Sequence, residues 1–214
     1  MIKKIITLFV IGRKLALSDA LDIVSKVVQI PTLIKIFFSI LGLFGKKNFN
    51  KNFNEDERLC RSMESMGITF IKLGQFLATR PDIIGEKLAD QLQTLQDKVP
   101  PFPKDVALNE IKKSLGNENY NDFINISEPI AAASIAQVHK AQIKDDDVLK
   151  EVAIKILRPE IKKVFNDEIE ALMLLASIIE SLIKKTKRLK LVEVVFLLKE
   201  ITNHEMDLRF EAAA

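Results

Sequence analysis

The stretches that decide the fold are EPIAAASIAQVHKAQI (Glu128–Ile143) and, after a Lys-Asp-Asp-Asp turn signal, EVAIKIL (Glu151–Leu157). Short runs with β-branched residues bounded by turn residues read as strands of a hairpin, and FINISEPI (Phe123–Ile130) reads as a strand segment before them. Side chains alternate along a strand, so Val152, Ile154 and Ile156 share one face while Ala153, Lys155 and Leu157 share the other. Lys155 is therefore a cation flanked by small or apolar neighbours on its own face. It is either an edge residue reaching water or a buried charge that requires an anion. Ala131, Ala132 and Ala133 precede Ser134, and alanine is a poor strand former. Three in succession ask for another explanation.

Outward from the hairpin the period of the sequence becomes helical. Asn54 offers an N-cap with Glu57 three residues on, the capping-box spacing. Leu59, Met63, Met66, Phe70, Leu73 and Leu77 then recur at alternating intervals of four and three, predicting one helix as far as Pro81. Leu88, Leu92 and Leu95 mark a second helix. VPPFP (Val99–Pro103) predicts an extended linker, and a short helix from Lys104 to Leu115 ends at Gly116. Downstream, a long helix runs from about Ile161 to Lys185, and a last one runs from about Leu191 into the C-terminus. Helices, then strands, then helices predict an α+β fold with a small antiparallel sheet. The expected divisions are 1–53, an apolar and basic extension; 54–103, a helical segment with the Pro-rich linker; and 104–214, a lobe carrying the sheet.

At 214 residues, 48% hydrophobic and 29% charged, the chain is long enough to bury a core in one or two domains and is not disordered. A net charge of +3 gives no argument for nucleic acid. Basic residues cluster at Lys3 and Lys4, at Lys46, Lys47 and Lys51, and from Lys184 to Lys190. Such runs are either solvated surface or attracted to anionic lipid. Val27–Phe44 is strongly apolar but carries Pro31 and Lys35, too interrupted for a spanning helix. Its apolar face of Leu33, Ile34, Phe37, Phe38 and Leu41 suits a helix lying on a membrane surface or one packed on a core. One cysteine, Cys60, excludes an internal disulfide and is expected to be buried beside Leu59 and Met63. With only His139 and His204, no Cys/His cluster has zinc-ligand spacing. The absence of a small-residue cleavage site after IITLFVIG suggests a cytoplasmic protein.

VAIK (Val152–Lys155) is also the kinase strand tetrapeptide whose lysine holds nucleotide phosphates and pairs with a helix glutamate. One strand upstream, where a kinase has its glycine-rich loop, stand Ala131–Ser134. Small side chains let backbone N–H groups approach a phosphate, while each Cβ removes most of the positive-φ freedom of glycine, so the loop is stiffer. The bland alternative is a small-residue turn packed beneath a helix. On a strong helix, Lys72 and Gln75 lie three apart on one face. On the last helix, Asp207 and Glu211 lie four apart and stack as like charges that need a compensating cation, and Glu205 points elsewhere.

Four segments in order, KLGQ (Lys72–Gln75), AAAS (Ala131–Ser134), VAIK and EMDLRFEAA from Glu205, resemble the first half of a UbiB/AarF-type atypical kinase. The family is needed for ubiquinone biosynthesis. The resemblance implies a partial protein-kinase-like N-lobe and a nucleotide site made by Ala131, Ala132, Ala133, Ser134 and Lys155. It implies Glu211 as the glutamate paired with Lys155, and Lys72, Gly74 and Gln75 as a regulatory segment whose lysine approaches an acidic motif of Glu205 and Asp207. ATP or ADP with Mg²⁺ is the implied cofactor. The implied partners are an anionic membrane surface or other quinone-biosynthesis proteins, at the cytoplasmic face of the inner membrane.

A kinase also needs a catalytic aspartate, a metal-binding asparagine and a DFG aspartate. No His-x-Asp loop is present, and Asp122-Phe123 is followed by isoleucine and precedes Lys155. The expectation is a chain truncated before its catalytic loop, with no catalytic residue and no metal site of its own, working with a second polypeptide that carries the other lobe. The alternatives are a non-catalytic membrane-surface helical protein and a decayed gene fragment.

Overall fold

The computed structural model describes residues 2–18, 32–42, 54–95, 99–145, 148–182 and 184–212. The cluster Lys46, Lys47 and Lys51, and the start of the Val27–Phe44 stretch, lie outside them. The chain divides into two compact units: residues 1–96 with 163–204, and residues 97–162 with 205–214. The sequence divisions differ, since they assign all of 104–214 to one lobe, whereas 163–204 belongs with the first unit.

In the first unit, α1 (Ile2–Leu17) packs on α2 (Thr32–Gly42). Ile11, Ala16 and Leu41 are buried, and a Cβ at Gly12 would stand 3.0 Å from Leu41 Cδ1, so glycine there lets the helices approach closely. α3 (Glu55–Met66) starts as expected, with Asn54 Oδ1 accepting from the Glu57 N–H at 2.8 Å. Lys14 Nζ donates to Met66 O at the far end of α3, 3.0 Å, where the last carbonyls lack helical partners. The single helix expected up to Pro81 is in fact two, because Gly67 sits at φ 110°, ψ −177°, a conformation that only glycine adopts without strain. α4 (Ile68–Ala78) therefore restarts with a new buried face of Thr69, Phe70, Ile71 and Gly74, and Leu73 and Leu77 are only half-buried. Gly85, at φ 85°, similarly separates α5 (Pro81–Ile84) from α6 (Glu86–Gln93). Leu88, Leu92 and Leu95 are buried as the periodicity requires. Cys60 is buried beside Gln91 O and Thr94 Oγ1.

The same unit contains most of α8 (Ile161–Leu182), a 3-10 turn (Lys184–Leu189) and α9 (Leu191–Glu205). Phe165, Ile169, Leu172 and Ala176 on α8, with Val194, Val195 and Leu198 on α9, are buried. Glu180 Oε1 accepts the Val192 N–H at 3.1 Å, satisfying one donor at the start of α9.

In the second unit, α7 (Lys104–Tyr120) is broken at Gly116 (φ 79°, ψ 164°), where the sequence reading ends the helix; one further turn follows. The sheet contains β1 (Phe123–Ile124), β2 (Pro129–Ala132), β3 (Ala136–Asp145) and β4 (Val148–Leu157), all pairs antiparallel. The FINISEPI segment is split into β1 and β2, with Asn125 at φ 53° between them; asparagine tolerates that region better than most residues. β3 is central, with β4 on one side and both β1 and β2 on the other. Alternation works as expected: Ile156 packs with Ala107 and Ile111 of α7, joined by Phe102, Tyr120 and Ile154, while Lys155 is on the opposite face.

Two polar side chains sit on the core face of β3. Gln137 Oε1 accepts the Phe102 N–H at 2.9 Å, and its Nε2 donates to Phe102 O at 3.2 Å. That Nε2 also lies 2.9 Å from His139 Nε2, and His139 Nδ1 lies 2.8 Å from Ser127 O. A carbonyl only accepts, so Nδ1 carries the proton and Nε2 accepts from the amide, defining a neutral tautomer. Both side chains are fully buried; Gln137 ties the Pro-rich linker to the sheet, and His139 ties in the segment before β2 through Ser127.

Gly67→Ala meets no atom within 4 Å, so its whole cost is backbone strain. It is expected to lower stability by about 1–3 kcal/mol, read as an earlier urea midpoint with an unchanged m-value.

Candidate functional site

Lys155 sits near the end of β4, paired across the sheet with Val138 of β3, which is itself paired with Ala131 of β2. With strands about 4.8 Å apart, Ala131 and Lys155 share one face of the sheet roughly 10 Å apart. On that face Lys155 Nζ donates to both oxygens of Glu211, at 2.9 Å to Oε1 and 2.6 Å to Oε2. Glu211 lies on α10 (Leu208–Ala212), 56 residues along the chain. The Lys155 side chain is 38% exposed and that of Glu211 is 61% exposed. Lys155 is thus both paired and within reach of water, combining the two options that its strand position leaves open. A solvent-exposed pair of this kind contributes ~0–1 kcal/mol to stability, so its importance is positional. An ammonium has three donors; Glu211 takes two and leaves a third for an anion.

Ala131 and Ala132 end β2, and Ala133 and Ser134 form the turn into β3. The Ala133 N–H donates to Ala136 O at 2.8 Å. That donor, expected to face a phosphate, is used inside the turn in this conformation. Ser134 is fully buried, and the turn is held from outside by Arg158, immediately after β4. Arg158 Nε and Nη2 donate to Ala133 O at 3.1 and 2.9 Å, and its backbone N–H donates to Ile135 O at 2.9 Å.

The acidic motif differs from the helical expectation. α9 ends at Glu205, which is exposed, and Asp207 lies outside any helix just before α10. Asp207 and Glu211 do not stack on one continuous helix. Instead Asp207 Oδ1 accepts the Arg209 N–H at 3.2 Å, as an N-cap does, and both carboxylate oxygens are held by the Arg209 guanidinium. The compensating cations that the two acids require are thus separate, Arg209 for Asp207 and Lys155 for Glu211. Hydrogen bonding from Arg209, helped by the charges of Arg209 and Lys162, lowers the Asp207 pKa to about 2. Lys72 and Gln75 are half-buried on α4 in the first unit. Gly74 is buried there, and a Cβ on it would stand 2.5 Å from Leu95 Cδ2. That glycine lets α4 lie close against the side chains of Leu92, Leu95 and Met63.

Residues 94–214 match the ABC1 atypical kinase-like domain. The chain belongs to the ABC1 atypical kinase-like family. This is the UbiB/AarF kinship implied by the four motifs, three of which lie within 94–214. The chain is similar to proteins named probable protein kinase UbiB. To that of Marinobacter nauticus it is 38% identical over 188 residues, 86% of this chain and 33% of the relative. To that of Vibrio atlanticus it is 37% identical over 173 residues, 80% and 31% respectively. To that of Pseudomonas aeruginosa it is 40% identical over 157 residues, 73% and 29%. The chain spans about a third of the length of these curated relatives.

Sequence reasoning assigns no role to three side chains of the second unit: Arg158, Gln137 and His139. The available signal was two polar residues at alternate positions of a strand face otherwise carrying Ala141 and Ile143, an arrangement that requires buried partners.

Because its folded pKa lies below the usual carboxylate value of about 4, Asp207 stabilises the start of α10 fully above that pH. The contribution is lost as pH falls through about 2. A carboxyl-detected NMR titration should place Asp207 near 2, and Arg209→Gln should move it up towards the ordinary range.

Proposed function

We propose that this chain provides the nucleotide-phosphate-binding part of a UbiB-type atypical kinase or ATPase that supports ubiquinone biosynthesis. The observation that carries the reading is the two-oxygen grip of Glu211 on Lys155, on the sheet face that also carries Ala131. The carboxylate aims the ammonium and leaves one N–H for a phosphate oxygen. The short alanine side chains leave room for a polyphosphate over β2. ATP or ADP is the ligand whose phosphate charge suits this arrangement.

Mg²⁺ has a weaker fit. Among the described residues no group of three His, Cys, Asp or Glu side chains converges on one point, so the reading takes no step through a protein-held metal. The work of these residues is to bind and orient phosphates, and electrostatic positioning of this kind carries much of phosphoryl-transfer catalysis.

Isothermal titration with ATP and Mg²⁺ tests the proposal. Lys155→Met and Glu211→Gln should each weaken binding by roughly tenfold or more, about 1.4 kcal/mol, with thermal midpoints close to that of the unaltered chain. Equal affinity in all three proteins would remove the nucleotide role.

A second reading, peripheral membrane attachment, is favoured by one observation in the first unit. Ile5, Phe9, Ile6 and Val10 on α1, and Ile36 and Ile40 on α2, are spaced four apart in pairs and exposed. No helix among the described residues is long and apolar enough to cross a membrane, so attachment would be in the interface. Ile6→Glu with Phe9→Glu should abolish flotation with anionic liposomes; flotation unchanged by the pair would exclude this surface.

A further inference from the structure

We propose that Arg158 is a positioning residue of the nucleotide site, fixing the alanine turn and making its geometry depend on the Pro-rich linker. The inference rests on the nucleotide reading above and goes beyond it by naming a group that touches no phosphate.

Arg158 follows Lys155 by three residues on the same strand end, so one backbone segment carries both the phosphate lysine and the clamp. Its guanidinium reaches three carbonyls. Nε and Nη2 bond Ala133 O in the turn, and Nη2 also bonds Val99 O at 3.1 Å and Pro100 O at 2.8 Å in the linker. The Cζ lies 5.8 Å from the centre of the Phe102 ring, a cation over an aromatic face. Phe102 is in turn held through both backbone groups by Gln137. Turn, linker and sheet therefore converge on one planar cation.

Holding Ala133 O has a geometric consequence. In a trans peptide the C=O and the following N–H point in opposite directions, so the bond from Arg158 fixes the Ala133–Ser134 peptide plane and directs the Ser134 N–H away from the clamp. The backbone bond from Arg158 to Ile135 O does the same for the next-but-one plane. Alanine has little positive-φ freedom with which to reorient these planes, so the clamp and the alanines act together. A glycine-rich loop adapts to its phosphate, whereas this one is set in advance by a cation behind it. Lysine cannot substitute, since a single ammonium lacks the fork that spans three acceptors.

The test compares the full chain with Arg158→Lys, Arg158→Ala and Lys155→Met by amide hydrogen exchange without nucleotide and by ATP titration. In Arg158→Lys, exchange should rise at Ala133 and Phe102 together and stay unchanged at the Lys140–Ile143 amides, which certify an intact sheet. ATP affinity should fall roughly tenfold. Lys155→Met should lose affinity with no change in turn exchange. Arg158→Lys carries the test if Arg158→Ala does not fold. Wild-type exchange at Ala133 in Arg158→Lys would overturn the clamp, and so would a loosened turn that binds ATP with unaltered affinity. Failure of the unaltered chain to bind ATP would instead overturn the nucleotide reading, and the positioning role with it, even where the turn responds to Arg158.

Discussion

The register of β3 against β4 is the constraint on which the second unit depends. Ten pairs, from Ala136 opposite Leu157 to Asp145 opposite Val148, decide which side chains meet α7 and which face the other way. A slip of one residue would send Lys155 into the apolar cluster of Ala107 and Ile111 and turn Ile156 outward. An ammonium without a partner in that cluster is far more costly than a half-exposed one bonded to a carboxylate. The hydrophobic alternation that folds the sheet is therefore the same feature that presents the lysine.

The core face of β3 is less usual, because Gln137 and His139 occupy it. The linker accounts for Gln137, and Ser127 O, which His139 Nδ1 meets at 2.8 Å, accounts for His139. An irregular segment lacks the hydrogen bonds of a helix or ladder, and its buried backbone groups must find partners elsewhere. Gln137 supplies both a donor and an acceptor to Phe102, and Arg158 supplies donors to Val99 and Pro100. The polar residues that look out of place in a strand are the ones that immobilise the chain beside it.

Much of this was legible in the residue order. The Asn54 cap, the α7 break at Gly116 and the two faces of β4 can be read from local chemistry, and the Lys155–Glu211 pairing is implied by the resemblance that four ordered motifs carry. The interruptions at Gly67 and at Asp207 were not legible. The stripe from Leu59 to Leu77 has unbroken periodicity, and a single glycine inside a helical pattern costs only about 1 kcal/mol. Nothing local shows that Gly67 adopts φ 110° instead. Likewise Asp207 and Glu211 have helical spacing, but Asp207 serves better as a cap bonded to Arg209 than as one more charge on a continuous helix. KLGQ lies wholly within α4 and VAIK within β4, whereas the last motif runs from the end of α9 across the break into α10.

The sequence by itself determined the α+β class and which side chains of β4 share a face, since these rest on local periodicity, and its resemblance to the UbiB/AarF family implied that Lys155 meets Glu211. Only the tertiary structure decided that 163–204 joins the N-terminal helices, that the Ala133 N–H is used inside its own turn, and that Arg158 links that turn to the linker. The reason is physical. Such contacts join atoms distant along the chain, and a guanidinium selects among backbone carbonyls that are chemically identical in every residue, so only their positions in space distinguish them.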